Sequence, residues 1–164
     1  MRLNLREIIV TPGAVLPFAF QLDLSDQEFG GEHPICEPVR VTGQVCNRAG
    51  ALELQAEAAT NLHLTCDRCA APFVREKKLS YETLLATELE DEENDEILLL
   101  DGDELDVGEA VATAFILGMD TKNLCSEDCK GLCASCGANL NEGPCRCKPA
   151  ADPRLAVLAQ LLDK

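Results

Sequence analysis

The sequence has few aromatic residues and few histidines. It contains no Trp, one Tyr and five Phe, so its core must be built mainly from Leu, Val, Ile and Ala. Its two histidines are His33 and His63, and no glycine-rich phosphate-binding loop is present. These absences leave no recognisable catalytic set, and they favour a protein that is not an enzyme.

Long apolar runs are also missing. The N-terminal segment MRLNLREIIVTPGAV lacks the roughly 7–15 apolar residues of a secretory signal, and no stretch approaches the ~20 residues that span a bilayer. We therefore expect a cytoplasmic protein with no membrane partner and no small-molecule substrate. Thiols stay reduced in that compartment, where clustered cysteines more often bind metal than form disulfides.

Basic residues are scarce, at 14 against 29 acidic ones, and the net charge is −15. The imbalance is local, because residues 88–109 contain 12 acidic residues and no basic residue, which leaves −3 for the rest of the chain. Such a segment is commonly a solvated loop that aids solubility. It could also form a surface for a basic partner, and both interpretations stay open.

Alternating apolar residues fill the first half of the chain. The segments FAFQLDLS, PVRVTGQVCNR, ALELQAEAATNLHLTC and APFVREKKLSYETLLA each place apolar side chains at every second position, and NRAG at 47–50 is a hairpin turn signal. The expected inward positions are Phe18, Phe20, Leu22, Leu24, Val39, Val41, Val45, Leu52, Leu54, Ala56, Ala58, Leu62 and Leu64, with Phe73 and Tyr81 as anchors. The pattern predicts an antiparallel strand meander or barrel-like sheet.

Two helices are predicted in the second half. Segment 105–119 has apolar residues at helical spacing, and Asp106 with Glu109 resembles a capping box. The tail DPRLAVLAQLLDK has an N-cap aspartate, a proline at its first turn and a leucine stripe. The predicted class is α+β. The predicted domains are 1–121 (β-rich, with the acidic loop and a helix), 122–148 (a cysteine-rich, zinc-knuckle-like metal-binding module) and 149–164 (a helix).

Ten cysteines are the most informative feature of the sequence. Eight of them form close pairs, in CDRC, CSEDC, CASC and CRC. Two cysteines separated by two residues can wrap one tetrahedral zinc ion, whose thiolate sulfurs lie ~2.3 Å from the metal. Gly137 can supply the unusual backbone angle after the second cysteine of CASC. The candidate metal ligands are Cys66, Cys69, Cys125, Cys129, Cys133, Cys136, Cys145 and Cys147.

These cysteines can be divided in two ways. The pairs between Cys133 and Cys147 can close one four-thiolate site locally, while those at 66–69 and 125–129 form a second. Alternatively, Cys129 joins Cys66 and Cys69 with one of the C-terminal cysteines, and the others stay free. Both divisions predict structural zinc, as one or two ions, because a four-thiolate site has no open position for water or substrate.

Other cysteine chemistries were weighed against zinc. Five disulfides would need an oxidising compartment, and a redox role for CDRC would need a helix N-terminus after it, where AAPF follows instead. Iron–sulfur ligation also stays open, since C129-x3-C133-x2-C136 matches the spacing of radical enzymes that cleave S-adenosylmethionine. The chain is short for the barrel that such enzymes use. The isolated Cys36 and Cys46 are expected to be buried apolar residues.

Several blocks resemble the YceD-like family. They are TCDRCAAPF at 65–73, DEENDEILLLDGDELDVGE at 91–109, LCSEDCKGLCASCGANLNEGPCRC at 124–147 and the tail DPRLAVLAQLL. The resemblance implies a role in the accumulation of 23S ribosomal RNA, hence in large ribosomal subunit biogenesis, in a family with no established enzymatic activity. All eight paired cysteines match family positions. Some relatives lack the last four, which implies that the C-terminal pairs are a separable module.

The resemblance implies a precursor of the large ribosomal subunit as partner. Direct RNA binding relies on Lys and Arg neutralising phosphates, and here those residues form only two spots. The spots contain Arg68, Arg75, Lys77, Lys78, Lys130, Arg146 and Lys148. The partner is therefore expected to be either ribosomal RNA at these spots or a basic ribosomal protein at the acidic segment.

Overall fold

The computed structural model describes residues 1–88 and 97–147. The predicted helix at 149–164 lies outside these residues. The elements in chain order are β1 (Arg2–Asn4), α1 (Arg6–Val10), β2 (Val15–Leu22), β3 (Val39–Arg48), β4 (Ala51–Thr65), β5 (Pro72–Ala86), β6 (Ile97–Leu99), β7 (Glu104–Asp106) and α2 (Val107–Leu117). In the described part of the chain, no helix is long and apolar enough to cross a membrane.

The main sheet has five strands in the order β2-β3-β4-β5-β6. Strands β2, β3 and β4 pair antiparallel, as the alternating segments predict. Strand β6 pairs parallel with β5, so the sheet is mixed rather than a pure meander. This pairing was not predictable from the sequence, because a strand of three residues is too short to show alternation. Within the described residues β2 and β6 are the edges, so the sheet is open.

One face of this sheet forms the core, and most of the predicted inward positions are buried there, although Phe20 and Leu22 are only half-buried. Val39, Val41 and Val45 are fully buried, and the alternate residues of β4 from Leu52 to Leu64 are all buried. Gly43 falls between the valines on the same face and pairs with Phe18. A Cβ at Gly43 would lie 2.6 Å from Phe18 Cζ, so the missing side chain makes room for the ring.

The predicted hairpin turn at 47–50 is confirmed. Ala49 and Gly50 both have positive φ, at 55° and 100°, as a two-residue turn matching the strand twist requires. Asn47 is buried beside the turn, where its Nδ2 donates to the carbonyls of Ile8 (2.8 Å) and Ile9 (3.1 Å). Its Oδ1 accepts from the Gly50 N–H at 2.8 Å. One amide therefore ties the turn to helix α1, which the sequence had not predicted.

The acidic segment 88–109, expected as a loop, contains two short strands in its described part. Strand β7 pairs antiparallel with β1 as a separate two-stranded sheet. The predicted N-cap is confirmed, since Asp106 Oδ1 accepts from the Glu109 N–H at 3.1 Å and helix α2 begins at Val107. Val107, Val111 and Phe115 are fully buried on the inner face of α2.

The two isolated cysteines differ in their surroundings. Cys46 is buried in β3, as predicted. The prediction for Cys36 is wrong, because this residue is exposed. It follows the turn that contains His33, whose carbonyl accepts a weak bond from the Cys36 thiol at 3.6 Å. Cys36 lies outside the strands, so no alternating pattern indicated whether its side chain would be buried.

The chain divides into two compact units. The first contains Met1–Leu64 and Val74–Thr121, and the second contains Thr65–Phe73 with the chain from Lys122 onward. The second unit thus combines the connection between β4 and β5 with the cysteine-rich segment. The domain boundaries expected from the sequence stay predictions.

Candidate metal centre

Two matching turns present cysteines in the second unit. The CDRC knuckle (residues 66–71) is closed by Cys66 N–H donating to the Ala71 carbonyl at 2.9 Å and Ala70 N–H donating to the Cys66 carbonyl at 2.8 Å. The CASC knuckle (residues 133–138) repeats both bonds: Cys133 N–H donates to Ala138 and Gly137 N–H to Cys133, each at 2.8 Å. The two C-x2-C motifs therefore fold identically.

The residue after each second cysteine has a left-handed backbone. Gly137 has φ of 72°, which confirms the role expected for it, and Ala70 has φ of 54° at the equivalent position. An alanine in this region costs roughly 1–2 kcal/mol more than a glycine. The CDRC knuckle therefore carries a local backbone strain that the CASC knuckle avoids.

The structure brings all eight predicted ligands together in two sets of four. The first cysteine group contains Cys66, Cys69, Cys125 and Cys129, and the second contains Cys133, Cys136, Cys145 and Cys147. The sulfur atoms of each group lie within 4.8 Å of one another. This grouping is the first of the two divisions considered from the sequence.

The sulfur–sulfur distances match a shared ion rather than disulfides. Cys66 Sγ lies 3.8 Å from Cys129 Sγ, and Cys69 Sγ lies 3.7 Å from Cys125 Sγ. In the second group the Cys133 and Cys145 sulfurs are 3.4 Å apart. A disulfide bond is ~2.05 Å long. Four thiolates 2.3 Å from a tetrahedral ion have edges of ~3.8 Å, close to the observed spacings.

The first group is the more buried. Cys66, Cys69 and Cys129 are each at most 5% exposed, and they pack against Ala71, Phe73 and Leu124. The chain carrying Cys125 is joined to the knuckle by Asp67, whose Oδ2 accepts from the Asn123 N–H at 2.6 Å and whose own N–H donates to the Asn123 carbonyl. Arg68 adds a second link, since its guanidinium donates to the Cys129 carbonyl at 3.0 Å.

Asn141 connects the two cysteine groups. It lies in the loop between Cys136 and Cys145 of the second group, yet its Nδ2 donates to Cys129 Sγ of the first group at 3.3 Å. Its Oδ1 accepts from the Lys130 N–H at 2.7 Å, which fixes the amide orientation. The loop of one group therefore supplies a hydrogen bond to a ligand of the other. Asn141 was not predicted as part of the site, because nothing in the cysteine spacing indicates which loop amide reaches a sulfur.

Hydrogen bonds from backbone and side-chain N–H donors favour the thiolate form of some cysteines in each cysteine group. A hydrogen bond from the Cys125 backbone lowers the pKa of Cys66 to about 6, and bonds from the Ser135 and Cys136 backbones lower the pKa of Cys133 to about 6. The Asn141 amide is the main cause of the lowered pKa of Cys129.

Cys125 and Cys147 resist ionisation. The hydrogen bond with Cys66 raises the pKa of Cys125 to about 12, and the bond with Cys136 raises that of Cys147 to about 12. Four thiolates this close repel one another, so a cation is needed before all of them can ionise. The donor set and its spacing thus fit a metal ion.

A four-thiolate site is suited to a structural role. Four protein ligands complete the tetrahedral shell and leave no position for a water or a substrate. The two histidines are not ligands: His63 is exposed on β4, and His33 is exposed in a turn, where its ring meets the Gln27 carbonyl.

Four of the seven basic residues predicted as an RNA contact, those at 68–78, make contacts within the protein. Lys77 and Arg75 pair with Asp120 at 3.3 and 3.8 Å, and Lys78 pairs with Glu76 at 3.0 Å. Arg68 is bound to carbonyls beside the first cysteine group, as described above. These contacts reduce the positive charge available at residues 66–78 for a phosphate backbone.

The part of the chain that matches a known family contains this site. The family model described as "Large ribosomal RNA subunit accumulation protein YceD" matches residues 54–162, which include both cysteine groups. No solved structure matches the chain significantly.

Two curated relatives are plant proteins, each named "Large ribosomal RNA subunit accumulation protein YCED homolog 1, chloroplastic". The one from Zea mays is 29% identical, over 68% of this chain and 49% of the relative. The one from Arabidopsis thaliana is 27% identical, over 71% of this chain and 46% of the relative. The chain spans about half the length of these relatives. Because the family model covers well over half of the sequence, the chain belongs to the YceD family of large ribosomal RNA subunit accumulation proteins.

Proposed function

We propose that this protein is a non-enzymatic, cytoplasmic factor that promotes accumulation of 23S ribosomal RNA during large-subunit biogenesis, and that two structural zinc ions hold its second unit together. Membership of the YceD family supports the ribosomal role. The observation that carries the zinc proposal is the pair of four-cysteine groups, each with its sulfur atoms within 4.8 Å.

The sulfur spacing favours zinc over an iron–sulfur cluster. A four-iron cluster places several iron and sulfide atoms between its cysteine ligands, so those ligands must stand well apart. Here the four sulfurs of each group surround a space for a single ion, and zinc is the usual ion in a closed four-thiolate site. The alternative of an iron–sulfur or thiol redox protein has no comparable geometric support.

The distribution of charge supports a protein partner over direct RNA binding. Arg68, Arg75, Lys77 and Lys78 make internal contacts, whereas the acidic segment supplies most of the net charge of −15. A phosphate backbone would be repelled by such a surface, and a basic ribosomal protein would be attracted to it.

A complementation experiment tests this function. In cells lacking the gene, we expect the ratio of large-subunit to small-subunit ribosomal RNA to fall, and the wild-type protein to restore it. Cys66→Ser should restore it poorly because the first group loses a ligand, whereas Cys36→Ser is the matched control at an exposed cysteine outside both groups. An unchanged ratio after loss of the gene would contradict the proposed function.

A further inference from the structure

A groove of about 580 Å³ lies in the first unit, lined by β6, β7 and one side of helix α2. Its apolar lining includes the buried Leu105 and the half-buried Tyr81 and Leu98. Leu99 is 55% exposed and Leu117 is 80% exposed at the same groove. Large apolar side chains this exposed beside an apolar depression are typical of a surface that a partner covers.

The side of α2 that lines the groove is suited to another helix. Ala110, Thr113, Ala114 and Leu117 recur at i, i+3, i+4 and i+7, so they form one continuous stripe. Three of the four are small, and the approach of two packed helices depends on the side chains at their contact. Strand β6 offers only three residues for strand addition, which would provide few backbone bonds. A helix is therefore the better fit.

The charged residues of the groove select for a basic partner. Asp101, Glu104 and Glu109 are exposed there, and none has an ion-pair partner within residues 1–88 and 97–147. Arg2 is the one basic residue in the lining, and it is already paired with Asp106 at 3.3 Å.

We propose that this groove binds a basic amphipathic helix of a partner protein. The apolar face of that helix packs on the stripe from Ala110 to Leu117, and its Lys and Arg side chains pair with Asp101, Glu104 and Glu109. The inference rests on the proposed function for its biological setting, and it makes the direct partner a protein rather than RNA.

Binding of synthetic peptides to the full-length, metal-loaded protein tests the proposal. Helix α2 is about 16 Å long, so a peptide of about 14 residues is sufficient to cover it. The test peptide carries Leu at i, i+3, i+4 and i+7 and Lys on its other face. One control peptide has the same composition in scrambled order, and another is the formally neutral segment 149–164 of this chain.

Variants at the groove and away from it localise the binding. Leu117→Ser removes the most exposed apolar contact, and Glu104→Gln with Glu109→Gln removes two charges. Their matched controls in the same unit are Val10→Ser, at a residue 74% exposed, and Glu57→Gln with Glu82→Gln, at exposed residues outside the groove. Thermal unfolding of every variant shows whether the fold is retained.

We expect the basic amphipathic peptide to bind the protein and to gain helicity on binding. Each groove variant should lower the affinity for this peptide at least tenfold, and the control variants should leave the affinity unchanged. Equal binding of the scrambled peptide would overturn the proposal, since charge alone would then account for binding. Equal or tighter binding of segment 149–164 would also overturn it, as would concentration-dependent self-association that Leu117→Ser abolishes. If peptide binding fails while loss of the gene still lowers large-subunit RNA, the groove proposal is wrong and the proposed function stands.

Discussion

At the scale of single residues, the second unit depends on side chains and backbone angles that accompany the cysteines. Ala70 and Gly137 occupy the same left-handed position in two turns with identical hydrogen bonds. Asn141 reaches from the loop of the second cysteine group to a sulfur of the first. These residues determine how readily each group adopts the geometry that a metal ion requires.

The two knuckles provide a matched pair of opposite substitutions. Ala70→Gly should relieve backbone strain, raising the affinity of the first cysteine group for zinc, and Gly137→Ala should lower that of the second group. Each effect should be about 1 kcal/mol, roughly fivefold in affinity. Nothing lies within 4 Å of a Cβ at Gly137, so the loss there reflects conformation and not a clash. Competition with a chelator measures the zinc affinity of each cysteine group. A change of the same sign from Ala70→Gly and from Gly137→Ala would contradict the explanation by backbone strain.

Asn141→Ala should weaken zinc binding at the first cysteine group although the residue lies in the loop of the second. Loss of a hydrogen bond to a ligand typically lowers metal affinity by about 10–100-fold. The measurement is zinc release from protein with both groups intact, in which Asn141→Ala should speed the release of one of the two ions and leave the other unchanged. Asn61→Ala, in β4, is the control. Unchanged release from the Asn141 variant would show that its contact with Cys129 contributes nothing to binding.

The cysteines that form the two groups were predictable from the sequence. Close pairs of cysteines limit the sulfurs to positions that one ion can bridge, so all eight candidates were identified from spacing. The division between groups required the fold, because it depends on the connection between β4 and β5 lying beside residues 122–129. Ala70 was identifiable in principle, since it follows CDRC as Gly137 follows CASC.

At the scale of elements, helix α2 begins at a cap that also holds the N-terminus. Asp106 accepts from the Glu109 N–H and pairs with the Met1 amino group and Arg2, each at 3.3 Å. The Glu109 bond is the main cause of the lowered pKa of this carboxyl, with the Met1 amino group adding to it. Strands β1 and β7 are only three residues each, so the cap helps to keep them together.

Asp106→Ala should lower the free energy of unfolding of the first unit by about 1 kcal/mol at neutral pH, the usual cost of losing an N-cap. Because the folded pKa is below the ordinary value of 3.8, the stabilisation is complete above that value and is lost as the pH falls through the folded pKa. The difference in free energy of unfolding between wild type and variant should therefore become smaller in acid. Urea unfolding between pH 2.5 and 7 measures it, with Asp103→Ala as control. If this difference in free energy of unfolding did not depend on pH, the ionised carboxylate of Asp106 could not be its cause.

Long strands were predictable and short ones were not. Alternation over 10 and 15 residues in β3 and β4 leaves one choice of buried face, and burial follows it closely. Strands β1, β6 and β7 have three residues each and lie beside charged sequence, where apolar periodicity carries no information. Their pairing, including the parallel alignment of β6 with β5, comes from tertiary contacts.

At the scale of the whole molecule, the two units differ in what stabilises them. The first buries many apolar residues, from β2, β3, β4 and α2 among other elements. In the described part of the second, the buried apolar residues are three cysteines of the first group, against which Ala71, Phe73 and Leu124 pack. Structural zinc contributes roughly 10–16 kcal/mol in small zinc modules, so the second unit should depend on metal and the first should not.

Removal of metal by a chelator should therefore unfold the second unit selectively. Hydrogen exchange should accelerate at the amides of Ala70 and Gly137, whose bonds close the two knuckles, and at Leu132, whose amide donates to the Arg68 carbonyl. Amides of the β3–β4 pair should keep their protection. Loss of protection in both units together would mean that their folding is coupled.

The most direct test of the central claim is the metal content of the purified protein and of two single variants. Elemental analysis should find two zinc ions per chain in the wild type and one in each of Cys66→Ser and Cys133→Ser, because each variant removes a ligand from a different group. Cys46→Ser and Cys36→Ser should retain two. Iron in place of zinc, or one ion per chain in the wild type and none in either variant, would contradict two independent four-thiolate zinc sites.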